Sequence, residues 1–108
     1  MLFIGEAPPA SGRNFYAADS GLYRAMRAAF ARAFPALEGR EFLPAFRSLS
    51  CDLVDLCAAP VDRLPVAARR AARGAGEARL ARDLRARRPL ALVSVMRAIE
   101  PHVARAIA

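Results

Sequence analysis

The sequence predicts a three-layer α/β domain, a short parallel sheet of at least three strands flanked by helices. Strand-length apolar runs alternate with helical segments in the order strand, long loop, helix, strand, helix, strand, helix. That is the pattern of βαβ units and a parallel sheet. The first run, Leu2-Phe3-Ile4, is continuously apolar and stops at Gly5, as a strand buried on both faces does. The chain has 108 residues, 56% of them hydrophobic, enough for one domain with one real core and too few for two. A domain of this size buries roughly two-thirds of its unfolded surface.

Residues 5–18 carry Gly, Pro, Ser and Asn without a helical period, so they form a long loop, and a loop of that length in a small domain usually serves function. Asp19 or Ser20 caps the next helix. There Leu22, Met26, Phe30 and Phe34 recur every four residues, Ala25, Ala29 and Ala33 lie beside them, and Arg24, Arg27 and Arg32 lie off the stripe. Pro35 and Gly39 sit where that helix ends. Residues 40–50 gather Phe42, Leu43 and Phe46 around Pro44 as a short helical turn or packed loop. Residues 51–57 are strand-like, and Pro60 and Pro65 bound the loop after them. Residues 66–88 are helical, rich in Ala and Arg, with a break expected at Gly74-Ala75-Gly76; Leu80 and Leu84 mark the buried side and Pro89 stops the helix. Residues 90–96, Leu-Ala-Leu-Val-Ser-Val-Met, are the clearest strand. Residues 97–107 finish as a helix with Ile99, Val103 and Ile107 on its inner face. His102 lies off that face and is expected in solvent.

The formal net charge is +7, and all seventeen Lys/Arg-type cations are Arg. A basic excess points to nucleic acid, but an Arg- and Ala-rich composition of the kind a GC-rich genome produces weakens that pointer. Cys51 and Cys57 are too few for a cysteine-ligated zinc or iron–sulfur site and read as reduced thiols. With one His, no metal cluster and no Ser/His/Asp triad can be assembled, and no phosphate-binding loop or GxGxxG motif is present; no cofactor is expected. The apolar N-terminus lacks a basic flank and ends at Gly5, and no apolar stretch reaches the ~20 residues that span a bilayer. A soluble, cytoplasmic protein is the expectation.

In such a sheet, functional residues gather beyond the carboxyl ends of the strands. Gly5 permits close backbone approach and Pro8-Pro9 stiffens the chain after it. Glu6 places a carboxylate at the mouth of the sheet, as a general base, a hydrogen-bond acceptor or a surface group. Phe15 and Tyr16 are adjacent aromatics in a polar loop, fit either to stack on a ligand or to pin the loop. Asp52 and Asp55 lie on opposite faces of the second strand, and Asp55 is nearer its carboxyl end.

Leu2-Phe3-Ile4-Gly5-Glu6-Ala7-Pro8, then Gly12-Arg13-Asn14-Phe15 and a helix opening near Gly21-Leu22, resembles the uracil-DNA glycosylase superfamily. The likeness is to the branch whose first motif reads Gly-Glu-Ala-Pro-Gly. Asp55-Leu56-Cys57 with Pro60 after it is similar to that branch's Thr-Asn-x-x-Lys-Cys-Arg-Pro segment. The resemblance implies hydrolysis of the N-glycosidic bond of a damaged or deaminated base in DNA, without a metal. It places the water-positioning loop on Gly5, Glu6 and Ala7, with Glu6 as the catalytic carboxylate because Ala7 stands where other branches carry Asp. It puts the base-stacking ring on Phe15 and the base-reading side chain on Asp55, where the family has Asn. Arg13, Arg24 and Arg27 would face the DNA backbone. The late His-Pro-Ser-type motif has no counterpart, so a single domain over residues 1–108 lacking the C-terminal part of the family fold is expected. Its exposed sheet edge would favour a homo-oligomer. Two other classes stay open: a non-catalytic nucleic-acid-binding or protein-interaction module on the same scaffold, and a small nucleotide-binding or other hydrolase domain.

Overall fold

The computed structural model describes residues 1–18, 20–37 and 39–108. Three parallel strands, β1 (Leu2–Gly5), β2 (Asp52–Asp55) and β3 (Leu92–Ser94), form one sheet in the order β2-β1-β3. β1 is central and its residues are all buried, as its unbroken apolar run requires. Side chains alternate across the pleat. Leu2 and Ile4 therefore face one side, against Leu80 and Leu84 of α3 (Val66–Arg87) and Val103 of α4 (Glu100–Ile107). Phe3 and Leu53 face the other, against Met26 of α1 (Gly21–Ala33) and Phe42 and Phe46 of α2 (Phe42–Ser48). The result is the expected three-layer α/β architecture. Among the described residues no helix is long and apolar enough to cross a membrane.

Ser20 caps α1, its hydroxyl accepting from the Tyr23 N–H at 3.0 Å; Asp19, the other candidate cap, lies outside the described residues. Met26 is the buried residue of α1, while Phe34 has left the helix and is half exposed. Residues 42–48 resolve as helix rather than loop.

Three expectations are corrected. α3 runs unbroken through Gly74-Ala75-Gly76. Gly76 is there for packing rather than for a break: a Cβ on it would run into the Leu56 carbonyl oxygen, so glycine lets α3 lie directly on the exit of β2. Nothing approaches Gly74 within 4 Å. The third strand is shorter than residues 90–96, and Leu90 is wholly exposed. His102 is buried rather than in solvent, and Ile107 is exposed. The reason is that α4 turns His102, Val103 and Ala106 inward. His102 Nδ1 lies 2.6 Å from a Glu77 oxygen, and Arg105 holds the same carboxylate at 3.0 Å, so α3 and α4 share a polar clasp.

The two glycines predict opposite outcomes. Gly74→Ala raises stability by about 0.5–1 kcal/mol through helix propensity alone. Gly76→Ala, forced against backbone, lowers it by about 2 kcal/mol or more. Denaturant melts of the two variants check this, and equal effects would contradict the close approach of α3 to β2.

Candidate functional site

The chain leaving β1 runs to α1 and α2 on one face, and the chain leaving β2 runs to α3 on the other. This divergence opens a crevice at the carboxyl ends of the strands, where ligands bind in open α/β sheets. The loop after β1 is held at its root by backbone bonds to β2's exit: Leu56 N–H donates to Gly5 C=O at 2.9 Å and Cys57 N–H to Glu6 C=O at 2.7 Å. Farther along, Ala10 N–H donates to Asp62 at 3.2 Å.

Glu6 turns toward α3. Its buried carboxylate accepts from Arg69 at 2.5 and 2.9 Å and from Arg73 at 2.6 Å. The two arginines lie four residues apart, on one face of the helix. The Arg69 hydrogen bond holds the Glu6 carboxyl below its ordinary value; burial opposes this and Arg73 adds to it. Glu6 and its two partners thus close the α3 side of the loop.

On the opposite side the loop forms a cavity of about 140 Å³ with α1 and the end of β2. Its walls include Ala7, Pro9, Phe15, Leu22, Leu53 and Asp55. An apolar cavity of about 150 Å³ holds one benzene-sized ring. Phe15 is buried and meets Tyr16, Tyr23, Phe42 and Phe46 edge-on, with centroids 5.0 to 6.2 Å away. Its ring is fixed as part of the wall. Tyr16 does the anchoring: its hydroxyl donates to the Asp52 carboxylate and accepts the Leu53 N–H at 2.8 Å. Burial, then the hydrogen bond to Asp52, pushes the Tyr16 phenol up to about 12. Burial alone would raise Asp52, but bonds from Tyr16, Arg87 and its neighbouring N–H outweigh it and the carboxyl is lowered.

Among the described residues, Asp55 is the carboxylate in the cavity wall. Its Oδ1 lies 2.7 Å from where a Cβ on Gly5 would stand, so a side chain at the end of β1 would push the Asp55 carboxylate aside. Burial pushes its carboxyl above the ordinary value, with Arg79 partly offsetting. The acid form, which can donate a hydrogen bond, therefore persists to higher pH than on a solvated Asp. A second, open groove of about 650 Å³ shares Asp55 and Pro8 with the cavity and runs along α3 past Arg79 and Arg82.

Of the residues singled out in the sequence, Ala7, Phe15 and Asp55 line the cavity, and Gly5 stands beside Asp55 without lining it. Glu6 is not in its wall. Arg13, Arg24 and Arg27 are exposed, the first on the loop and the others on α1; Arg27 borders a separate hollow with Tyr23 and Phe42. Sequence reasoning did not find Arg69, Arg73 or Arg79, because nothing in the sequence singles them out from Arg70, Arg82, Arg85 and Arg87 on the same helix. Among the described residues no three His, Cys, Asp or Glu side chains gather as a metal set would. The chain matches no family model, no curated protein and no solved structure.

The two carboxylates predict opposite pH behaviour. Glu6, lowered in the fold, contributes stability that is present above its ordinary value of 4.5 and lost as pH falls through the lower folded one. Glu6→Gln therefore costs on the order of 2 kcal/mol at neutral pH and flattens the acid limb. Asp55, raised in the fold, costs stability as pH climbs from its ordinary value of 3.8 through the higher folded one. Asp55→Asn is then relatively more stable at neutral than at acid pH. Melting curves of both variants from acid to neutral pH read the two signs, and parallel pH profiles would contradict the assignment.

Proposed function

We propose that the chain is a uracil-DNA-glycosylase-like protein that takes one extruded base from DNA into the cavity between the β1 loop and the end of β2. The observation that carries this reading is the convergence of Ala7, Phe15 and Asp55 on one ring-sized cavity at the carboxyl end of the sheet. Those positions are separated by up to 48 residues in sequence, and the resemblance assigns Phe15 and Asp55 to the base and Ala7 to the water-positioning loop beside it. Base extrusion costs a few kcal/mol and is repaid by aromatic contact and edge recognition. Phe15 supplies the apolar ring. Asp55 reads the edge, donating to a base carbonyl as the acid or accepting a ring N–H as the anion.

In the proposed hydrolysis the bond between the sugar's C1′ and the base nitrogen breaks. The electron pair leaves with the base, a water oxygen bonds to C1′, and the water's proton is released. Asp55 brings a carboxyl group into the cavity wall and would orient either the base or that water. Glu6, clamped by two guanidiniums, is a weak proton acceptor; in this reading it positions the loop that Ala7 and Pro9 present to the base, in place of the direct catalytic role that the resemblance gives it. Arg13, Arg24 and Arg27 would meet the phosphates, making association weaken as salt rises.

The test is base release from oligonucleotides carrying uracil, hypoxanthine or a G·U mismatch. Slow release is expected from at least one, falling about tenfold or more with Asp55→Ala and with Phe15→Leu, in keeping with a stacking contribution of about 1–3 kcal/mol. Salt-sensitive binding without release would favour the non-catalytic nucleic-acid-binding module. Release untouched by both variants would contradict the site.

A further inference from the structure

The two edges of the sheet are finished differently. On β2, side chains stand across the outer edge: the Tyr16 hydroxyl accepts the outward Leu53 N–H, and Arg79 donates to the outward Asp55 carbonyl at 2.8 Å. A strand approaching that edge would have to displace both. On β3, the Ala91 C=O and Val95 N–H point inward, to Leu2 and Ile4 of β1 at 2.9 and 3.0 Å. By alternation the N–H and C=O groups of Leu92 and Ser94 point outward. No bond from another segment reaches them among the described residues. Bare edges are normally blunted with charge or proline, yet residues 90–96 hold neither.

We propose that a second copy of this chain covers this edge, its β3 antiparallel to the first about a two-fold axis at Val93. An isologous contact needs a self-complementary patch, and this strand is one. In that register Leu92 faces Ser94 of the partner subunit, and the reverse, so all outward N–H and C=O groups of both copies pair in four hydrogen bonds. Val93 meets the partner's Val93 across the axis. Ala91 faces the partner's Val95, and the fully exposed Leu90 faces the partner's Met96, so apolar pairs flank and centre the contact, with only the Leu92–Ser94 pairs mixed. The register also accounts for the strand length. The sequence is strand-like over residues 90–96, whereas the isolated chain forms β3 only over Leu92–Ser94; a partner strand supplies the pairing that the flanks lack.

The test involves no catalysis and so is independent of the base-site reading: analytical ultracentrifugation of the full chain across concentration. The mass is expected to rise from 11.6 kDa toward twice that value. Leu90→Arg, at a position outside the core, raises the dissociation constant by about tenfold or more. Ser94→Pro does the same, because the N–H it removes points away from β1. Circular dichroism reports whether Ser94→Pro folds, and if it does not, Leu90→Arg decides alone. In hydrogen exchange the Leu92 and Ser94 amides slow as concentration rises. A monomer at every concentration, or a dimer that neither Leu90→Arg nor a folded Ser94→Pro weakens, overturns the proposal.

Discussion

The buried carboxylate of Glu6, gripped by Arg69 and Arg73, holds the most consequential junction of this domain. It is the point where the chain leaves the central strand and could go anywhere. A carboxylate with little access to water must be paired, or it costs several kcal/mol. Two guanidiniums on adjacent turns of α3 satisfy it, and in doing so fix the loop root against the helix. Everything on the far side of the loop inherits that placement. Ala7 and Pro9 form a wall rather than a mobile strap, Gly5 stays close enough to admit Asp55, and the cavity beside Phe15 has a defined shape.

A second constraint works through absent side chains. Gly5 and Gly76 both stand where a Cβ would strike the carboxyl end of β2, the first at Asp55 and the second at the Leu56 carbonyl. The end of β2 is therefore compressed between β1 and α3. Burial at that point raises the Asp55 carboxyl, so the close packing that stabilises the domain also tunes a titratable group in the cavity wall. Tyr16 performs a related service at the opposite end of β2. By taking both Asp52 and the Leu53 N–H it ties the loop to the strand and leaves Phe15 to the cavity.

Much of this was legible in the sequence because it rests on local pattern. The continuous apolar run of β1 and the four-residue stripe of α1 are local patterns, the strand character of β2 follows from its length and flanks, and Gly5, Ala7, Phe15 and Asp55 could be singled out from position and resemblance. What was not legible depends on contacts between distant segments. Gly74 and Gly76 look alike in a helical stretch, and only the proximity of β2 distinguishes them. His102 seemed off the inner face because Ile99 and Ile107 set the apparent stripe, yet Glu77 and Arg105 make its burial tolerable. The partners of Glu6 were hidden among many arginines, since spacing alone cannot say which of them meets a carboxylate more than sixty positions away.

The central claim is that the cavity beside the β1 loop is where a base enters. Amide chemical shifts of the isotope-labelled chain, followed during titration with a short uracil-bearing oligonucleotide and with its thymine counterpart, test it most directly. The account predicts that Ala7, Phe15, Leu53 and Asp55 shift together and saturate with the uracil oligonucleotide, beyond any change with thymine. Shifts confined to the exposed arginines, identical for both oligonucleotides, would contradict it.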